Sequence, residues 1–172
     1  INVEYAAQGK KIFGKIADYS YFKKKIIPLY TGVSDFEEYQ GTKIREELGL
    51  PDSSILIIMA SGILSGKGHL DLIKSVESIS KEFKSVNLLI AGSAVESSPD
   101  SMMYSKKIND YVKNKKLGGL VHFLGWRTDI RDILQDSDIY VSTSYSESFP
   151  DAVREGMLAS LPVIVTDVGG TR

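Results

Sequence analysis

The sequence predicts an α/β domain, a Rossmann-like parallel sheet with helices on both faces. From residue 54 onward five short apolar runs recur: SILIIMAS, VNLLIAG, LVHFLG, DIYVSTS and PVIVTD. The first two are nearly continuous in their hydrophobicity, as expected of strands buried on both faces. Helical stretches and short loops separate the runs, and this alternation builds right-handed strand–helix–strand crossovers and a parallel sheet.

Taken in order, the chain is least legible at its start. Residues from about Val3 to Phe13 suit a short helix, and Lys23 to Lys25 a solvated face. IIPLYTGV reads as a short strand ending in a turn at Gly32, and DFEEYQG as a loop. KIREELGL fits a helix capped by Thr42 and closed by Gly49. After the first main strand, the glycine-rich loop GILSGKG leads into HLDLIKSVESISKEF, where Leu70, Ile73, Val76, Ile79 and Phe83 recur at helical spacing. SAVESSPDS is a polar loop, and MMYSKKINDYVKNKKLG a lysine-rich amphipathic helix. WRTDIRDILQDS gives a loop and a short helix capped by Thr128 or Asp129, and a further helix covers 150–160. The chain begins at Ile1 and stops at Arg172, just after Gly-Gly, and both ends read as cuts in a longer protein. Residues 1–25 are then a remnant or linker from a preceding domain, and 26–172 one ligand-binding domain truncated at its C-terminus.

Composition narrows the function. The 172 residues suffice for one domain with a sizeable core. A formal net charge of −1, from 21 basic and 22 acidic residues, gives no support to bulk electrostatic binding of nucleic acid. The absence of cysteine excludes disulfides and thiolate metal sites, and His69 and His122, far apart, make a poor metal pair. No apolar run approaches the ~20 residues of a membrane span, and no signal peptide is visible.

The candidate chemistry gathers in YSESFPDAVREGMLASLPVIVTDVGG. Glu147 lies in the loop leaving DIYVSTS; Glu155 lies one or two turns into the next helix, with Pro150 suited to its first position. An open parallel sheet binds ligands at such strand mouths. Ser142, Thr143, Ser144, Tyr145, Ser146 and Ser148 make the exit rich in hydroxyls, as a sugar or ribose needs, while surface carboxylates remain the plain alternative. In the loop Ser61–Gly68, Gly62, Gly66 and Gly68 let backbone approach a ligand and Lys67 adds a positive charge. These suit a phosphate or diphosphate, or simply a flexible turn with a surface lysine. The pattern is neither a GxGxxG fingerprint nor a P-loop. Trp126 and Arg127 follow the third strand at the same sheet edge, either flanking a base or packing on the rim. Asp129, Arg131 and Asp132 read as surface pairs.

The stretch from Ser146 to Gly170 resembles the signature of retaining glycosyltransferases of the GT-B fold, the glycosyl transferase group 1 (family 4). Glu147, Phe149, Pro150, Glu155, Met157, Ala159, Pro162, Val163, Ile164, Gly169 and Gly170 match it without a gap. GILSGKGHLDLI resembles the family's donor-phosphate loop, with Lys67 in place of its lysine; NLLIAG, VHFLGWRTDI and LQDSDIYVSTS resemble the strands that follow. IIPLYTGV is similar to the strand that opens the C-terminal domain, and AAQGKKIFG to the last helix of the N-terminal acceptor domain in some polysaccharide-building members.

The resemblance implies the donor-binding, C-terminal half of a GT-B enzyme. Such an enzyme transfers a hexosyl group from a nucleotide-diphosphate sugar to a saccharide or lipid-linked acceptor, with retention of configuration. Glu155 would hold the ribose, Glu147 the donor sugar, and Lys67 the diphosphate. Backbone around Ser148, Phe149 and Pro150 would meet sugar and phosphate, and Trp126–Arg127 would lie against the base. No resident metal or other cofactor is implied, and the location is cytoplasmic, with peripheral membrane contact where the acceptor is a lipid. Because the acceptor site belongs mainly to the absent domain, the chain alone should bind nucleotide without turning over. Gly62 stands where the family often has an arginine, so one of two diphosphate cations is missing unless Arg127 substitutes. The other readings are a non-catalytic GT-B module serving assembly and a sugar-nucleotide epimerase of related fold.

Overall fold

The computed structural model describes Val33 and residues 44–171. The expected helix at 3–13 and the cap at Thr42 lie outside the described residues, as does the strand at 26–33 except for Val33. Five strands are present: β1 (Ile55–Ala60), β2 (Val86–Ala91), β3 (Val121–Gly125), β4 (Ile139–Ser142) and β5 (Val163–Val165). They pair in parallel in the order β3–β2–β1–β4–β5. The helices are α1 (Ile44–Glu47), α2 (His69–Ile79), α3 (Pro99–Asn114), α4 (Ile130–Asp136) and α5 (Asp151–Leu158).

Successive residues of a strand point to opposite faces, and β1 divides its apolar residues accordingly. Ile57 and Met59 join Leu88 and Ile90 beneath Leu72, Ile73 and Val76 of α2 and Ile108 and Val112 of α3. Leu56 and Ile58 join Leu89 and Tyr140 beneath Ile44, Ile133, Leu134 and Val153, on the side of α1, α4 and α5. Each fully buried aliphatic side chain stabilises the fold by roughly 1.5–3 kcal/mol. From β1 the chain winds outward through β2 to β3, then returns to place β4 on the other side of β1. The crevice beyond the carboxyl ends of β1 and β4 is therefore the topological switch point, where open α/β sheets take their ligands.

Three element ends differ from the sequence reading. The helix expected to reach Phe83 stops at Ile79, and both side chains are exposed, because the chain must turn there to enter β2. Helix α3 begins at Pro99, where the sequence reading began it at Met102: the Ser98 hydroxyl accepts the Ser101 N–H at 3.3 Å, and Pro99 needs no partner at the first position. Pro150 occupies the cap of α5, one residue before the helical position expected of it.

Candidate active site

Loops from three adjacent strands meet at the switch point. The loop after β1 makes a 3-10 turn over Ser65–Lys67 and passes into α2 through Gly68, which is left-handed at φ 72°. A Cβ at Gly68 would lie 2.2 Å from the Thr143 carbonyl oxygen, so only glycine lets the β4 loop approach this closely. The Thr143 hydroxyl is within 3.2 Å of the Lys67 carbonyl and 3.0 Å of the Gly68 carbonyl, and the Tyr145 N–H donates to the Gly66 carbonyl at 2.8 Å. The Tyr145 hydroxyl donates to the Asp71 carboxylate at the start of α2. The opening that Gly68 was expected to offer a ligand is thus filled by protein backbone. Gly66 faces open space, and a Cβ at Gly62 would make only an ordinary contact with the Ser93 carbonyl oxygen at 3.8 Å.

This stitching brings Lys67 and Glu147 together. The Lys67 Nζ lies 2.6 Å from Glu147 Oε1, and the Ser144 hydroxyl donates to the same oxygen, also at 2.6 Å. The loop after β5 is the floor beneath. Gly170 N–H donates to the Glu147 carbonyl at 3.2 Å, and a Cβ at Gly169 would stand 1.6 Å from that carbonyl oxygen. A Cβ at Gly170 would stand 1.8 Å from the Ser148 carbonyl oxygen. Gly169 and Gly170 are small because the Glu147 loop lies directly on them.

Glu155 sits on α5 and is half-buried. Beneath it Tyr140 is almost wholly buried, and its hydroxyl pKa is raised by burial first, then by the negative charges of Glu147 and Glu155. The Tyr140 hydroxyl thus feels both carboxylates. Gly156 permits this: a Cβ there would meet the Tyr140 ring at 2.8 Å. Sequence reading passed over Tyr140 as an ordinary strand residue. The Phe149 ring carries the Arg154 guanidinium 4.1 Å from its centroid. Ser148 is exposed and joins the site through its backbone.

His69, the first residue of α2, is fully buried, its Nε2 3.2 Å from the Ser61 hydroxyl. Burial, aided by the nearby Lys67 charge and opposed by backbone hydrogen bonding at Leu64 and Ser61, lowers its pKa from 6.5 to about 4. Above pH 6.5 the ring is neutral in both folded and unfolded chains, and its contribution to stability is complete. As pH falls, the unfolded chain takes up a proton that the folded chain refuses until about pH 4. Stability should therefore decline across that window, by roughly 2 kcal/mol from this group at pH 5. Urea unfolding at pH 7.5 and 5 checks this; His69→Gln should lose that part of the slope.

Trp126 and Arg127 stand two strands away from β1, past edge strand β3, and Trp126 is 79% exposed. The Arg127 guanidinium bonds Glu47 at 2.7 and 2.9 Å and Asp129 at 2.8 and 2.7 Å. These bonds tie the β3–α4 loop to α1. Asp129, expected as a cap, is likewise engaged by Arg127 and makes no cap bond. Among the described residues no group of three His, Cys, Asp or Glu side chains is placed to hold a metal ion, and no helix is long and apolar enough to cross a membrane.

Known proteins are similar to this chain in sequence or fold. TuaC of Bacillus subtilis, named as a teichuronic acid biosynthesis glycosyltransferase, is 30% identical over 151 residues, covering 87% of this chain and 34% of its own. The Escherichia coli UDP-Gal:alpha-D-GlcNAc-diphosphoundecaprenol alpha-1,3-galactosyltransferase is 29% identical over 123 residues, covering 72% of this chain and 30% of its own. Among solved structures, Anabaena Alr3699/HepE in complex with UDP and glucose superposes with a TM-score of 0.66 at 26% identity, over 75% of this chain and 33% of that one. The chain thus spans about a third of the length of these relatives. Residues 40–172 match the family described as Glycosyl transferases group 1, and the chain belongs to that family.

Proposed function

We propose that this domain is the donor-binding half of a retaining, family 4 hexosyltransferase that takes its sugar from a UDP-sugar and delivers it to a saccharide or lipid-linked acceptor. The observation that carries this reading is the meeting of Lys67 and Glu147 at the switch point, 2.6 Å apart. A cation and a carboxylate poised there suit the two chemically different ends of a diphosphate-sugar. In transfer, the bond from the anomeric carbon to the β-phosphate oxygen breaks, a bond to the acceptor oxygen forms on the same face, and the acceptor hydroxyl's proton passes to the departing phosphate oxygen. Negative charge develops on the departing diphosphate, and Lys67 stabilises it where it appears. Glu147 takes hydroxyls of the sugar and Glu155 those of the ribose. The base extends toward Trp126, two strand spacings or roughly 10 Å from β1.

The UDP assignment rests on the UDP held by the Anabaena protein and the UDP-Gal named for the Escherichia coli relative. The lipid-linked acceptor rests on the diphosphoundecaprenol named for the latter, and would bring the full-length protein to a membrane surface. The reading gives charge neutralisation to Lys67, so transfer needs no resident metal and should survive EDTA. Calorimetric titration of the full-length protein with UDP, GDP and ADP tests the donor class. UDP should bind best, and a protein that binds none of the three does not have this function. Conversion of a UDP-sugar with no acceptor present would favour an epimerase, and the chain alone should bind UDP without transferring sugar.

The open space at Gly62 makes a further prediction. A Cβ there meets nothing closer than the Ser93 carbonyl oxygen at 3.8 Å, an ordinary contact. Gly62→Arg should therefore be accommodated and supply the second cation. Tighter UDP binding, by about tenfold for one charge-assisted hydrogen bond, is expected from the same titration.

A further inference from the structure

We propose that Ser144 is a positioning residue: its buried hydroxyl fixes the rotation of the Glu147 carboxylate and so sets recognition of the donor sugar without touching it. The inference rests on Glu147 binding that sugar. Ser144 is 1% exposed, which removes it from the hydroxyls that meet a ligand directly. Its hydroxyl donates to Glu147 Oε1 at 2.6 Å, the short range of a bond to an ionised acceptor. The neighbouring hydroxyl is Ser142, 3.4 Å away and also buried. Its backbone is pinned from the β5 side, where the Thr166 hydroxyl donates to the Ser144 carbonyl.

The terminal torsion of a glutamate is broad and roughly two-fold, so a carboxylate at the mouth of a cleft has no fixed direction by itself. Lys67 and Ser144 both hold Oε1. A diphosphate arriving at Lys67 competes for its ammonium and draws it from Glu147. Ser144 lies beneath the loop, out of a ligand's reach, and its bond persists. Oε1 is then held by protein while Oε2 is presented to the sugar hydroxyls. Binding of the sugar needs no reordering of the carboxylate, which is the gain from preorganisation.

The test uses the full-length protein and measures the affinity of UDP beside those of UDP-glucose, UDP-galactose and UDP-N-acetylglucosamine. The ratio of the best UDP-sugar to UDP isolates the sugar's contribution. Ser144→Ala should reduce that ratio about tenfold or more, the loss of one bond to a charged group, with UDP alone binding unchanged. Glu147→Gln should also reduce it, and adding Ser144→Ala to Glu147→Gln should cost nothing further. If Glu147→Gln leaves the ratio intact, Glu147 does not read the sugar and the underlying assignment fails. If Glu147→Gln collapses the ratio while Ser144→Ala preserves it, the assignment stands and the positioning role is overturned. If Ser144→Ala weakens UDP as much as the sugars, Ser144 is a structural residue and the positioning role is likewise overturned.

Discussion

Lys67→Ala is expected to reduce sugar transfer by the full-length enzyme by two to three orders of magnitude, roughly the effect of removing one preorganised group that stabilises developing charge. UDP affinity should fall about 10- to 100-fold, since charge-assisted hydrogen bonds to phosphate are lost. The effect is large because the two loops that form the cleft carry a single cation. In the loops of residues 61–68 and 143–150, Lys67 is the one basic residue. Arg127 is bonded to Glu47 and Asp129. Some stability should be lost as well, because Glu147, its side chain only 11% exposed, is left with the Ser144 hydroxyl but without its cation. Initial-rate kinetics beside thermal unfolding separates the two effects.

Gly68→Ala should have a large effect on stability within the site, as should Gly169→Ala, whose Cβ would meet the Glu147 carbonyl oxygen at 1.6 Å. An alanine there meets two penalties together: a left-handed φ of 72°, and a Cβ 2.2 Å from the Thr143 carbonyl oxygen. Backbone does not yield as a flexible side chain would, so relief requires parting the β1 and β4 loops. A loss of roughly 2–4 kcal/mol is expected in urea unfolding, combining strained backbone with a disrupted contact. The same movement would draw Lys67 from Glu147 and weaken UDP binding. Gly66→Ala, two residues earlier in the same loop, has nothing within 4 Å of the new Cβ and should leave stability within about 0.5 kcal/mol. Equal stability of the two variants would show that the close approach at Gly68 is not what holds the loops.

The sheet was legible because a parallel strand buried on both faces writes a continuous apolar run, and ILIIMA and VNLLIA are such runs. The helix ends were less so. Ser98 and Pro99 carried a start signal, but the apolar pattern drew the boundary to Met102 and Met103, which are exposed. In the site, charge and spacing singled out Lys67, Glu147 and Glu155, and the fold places Lys67 and Glu147 in contact. Sequence could not say which hydroxyl bonds Glu147, because Ser142, Ser144, Ser146 and Ser148 are chemically alike; burial distinguishes Ser144. Nor could it say what each glycine is for. Gly68 receives the Thr143 backbone and Gly169 the Glu147 carbonyl, while Gly62 and Gly66 are open, and that is decided by residues far away in sequence. Nor could it show that Arg127 pairs with Glu47, which lies 80 residues away in sequence.

The central claim is that the cleft between the β1 and β4 loops holds the diphosphate of a nucleotide-sugar, with Lys67 passing from Glu147 to phosphate. A crystal structure of the full-length protein with UDP tests it most directly. The account predicts diphosphate oxygens within hydrogen-bond distance of Lys67 Nζ, the Lys67–Glu147 contact opened beyond its present 2.6 Å, and the Ser144–Glu147 bond retained. UDP bound elsewhere on the domain, with Lys67 still paired to Glu147, would contradict it.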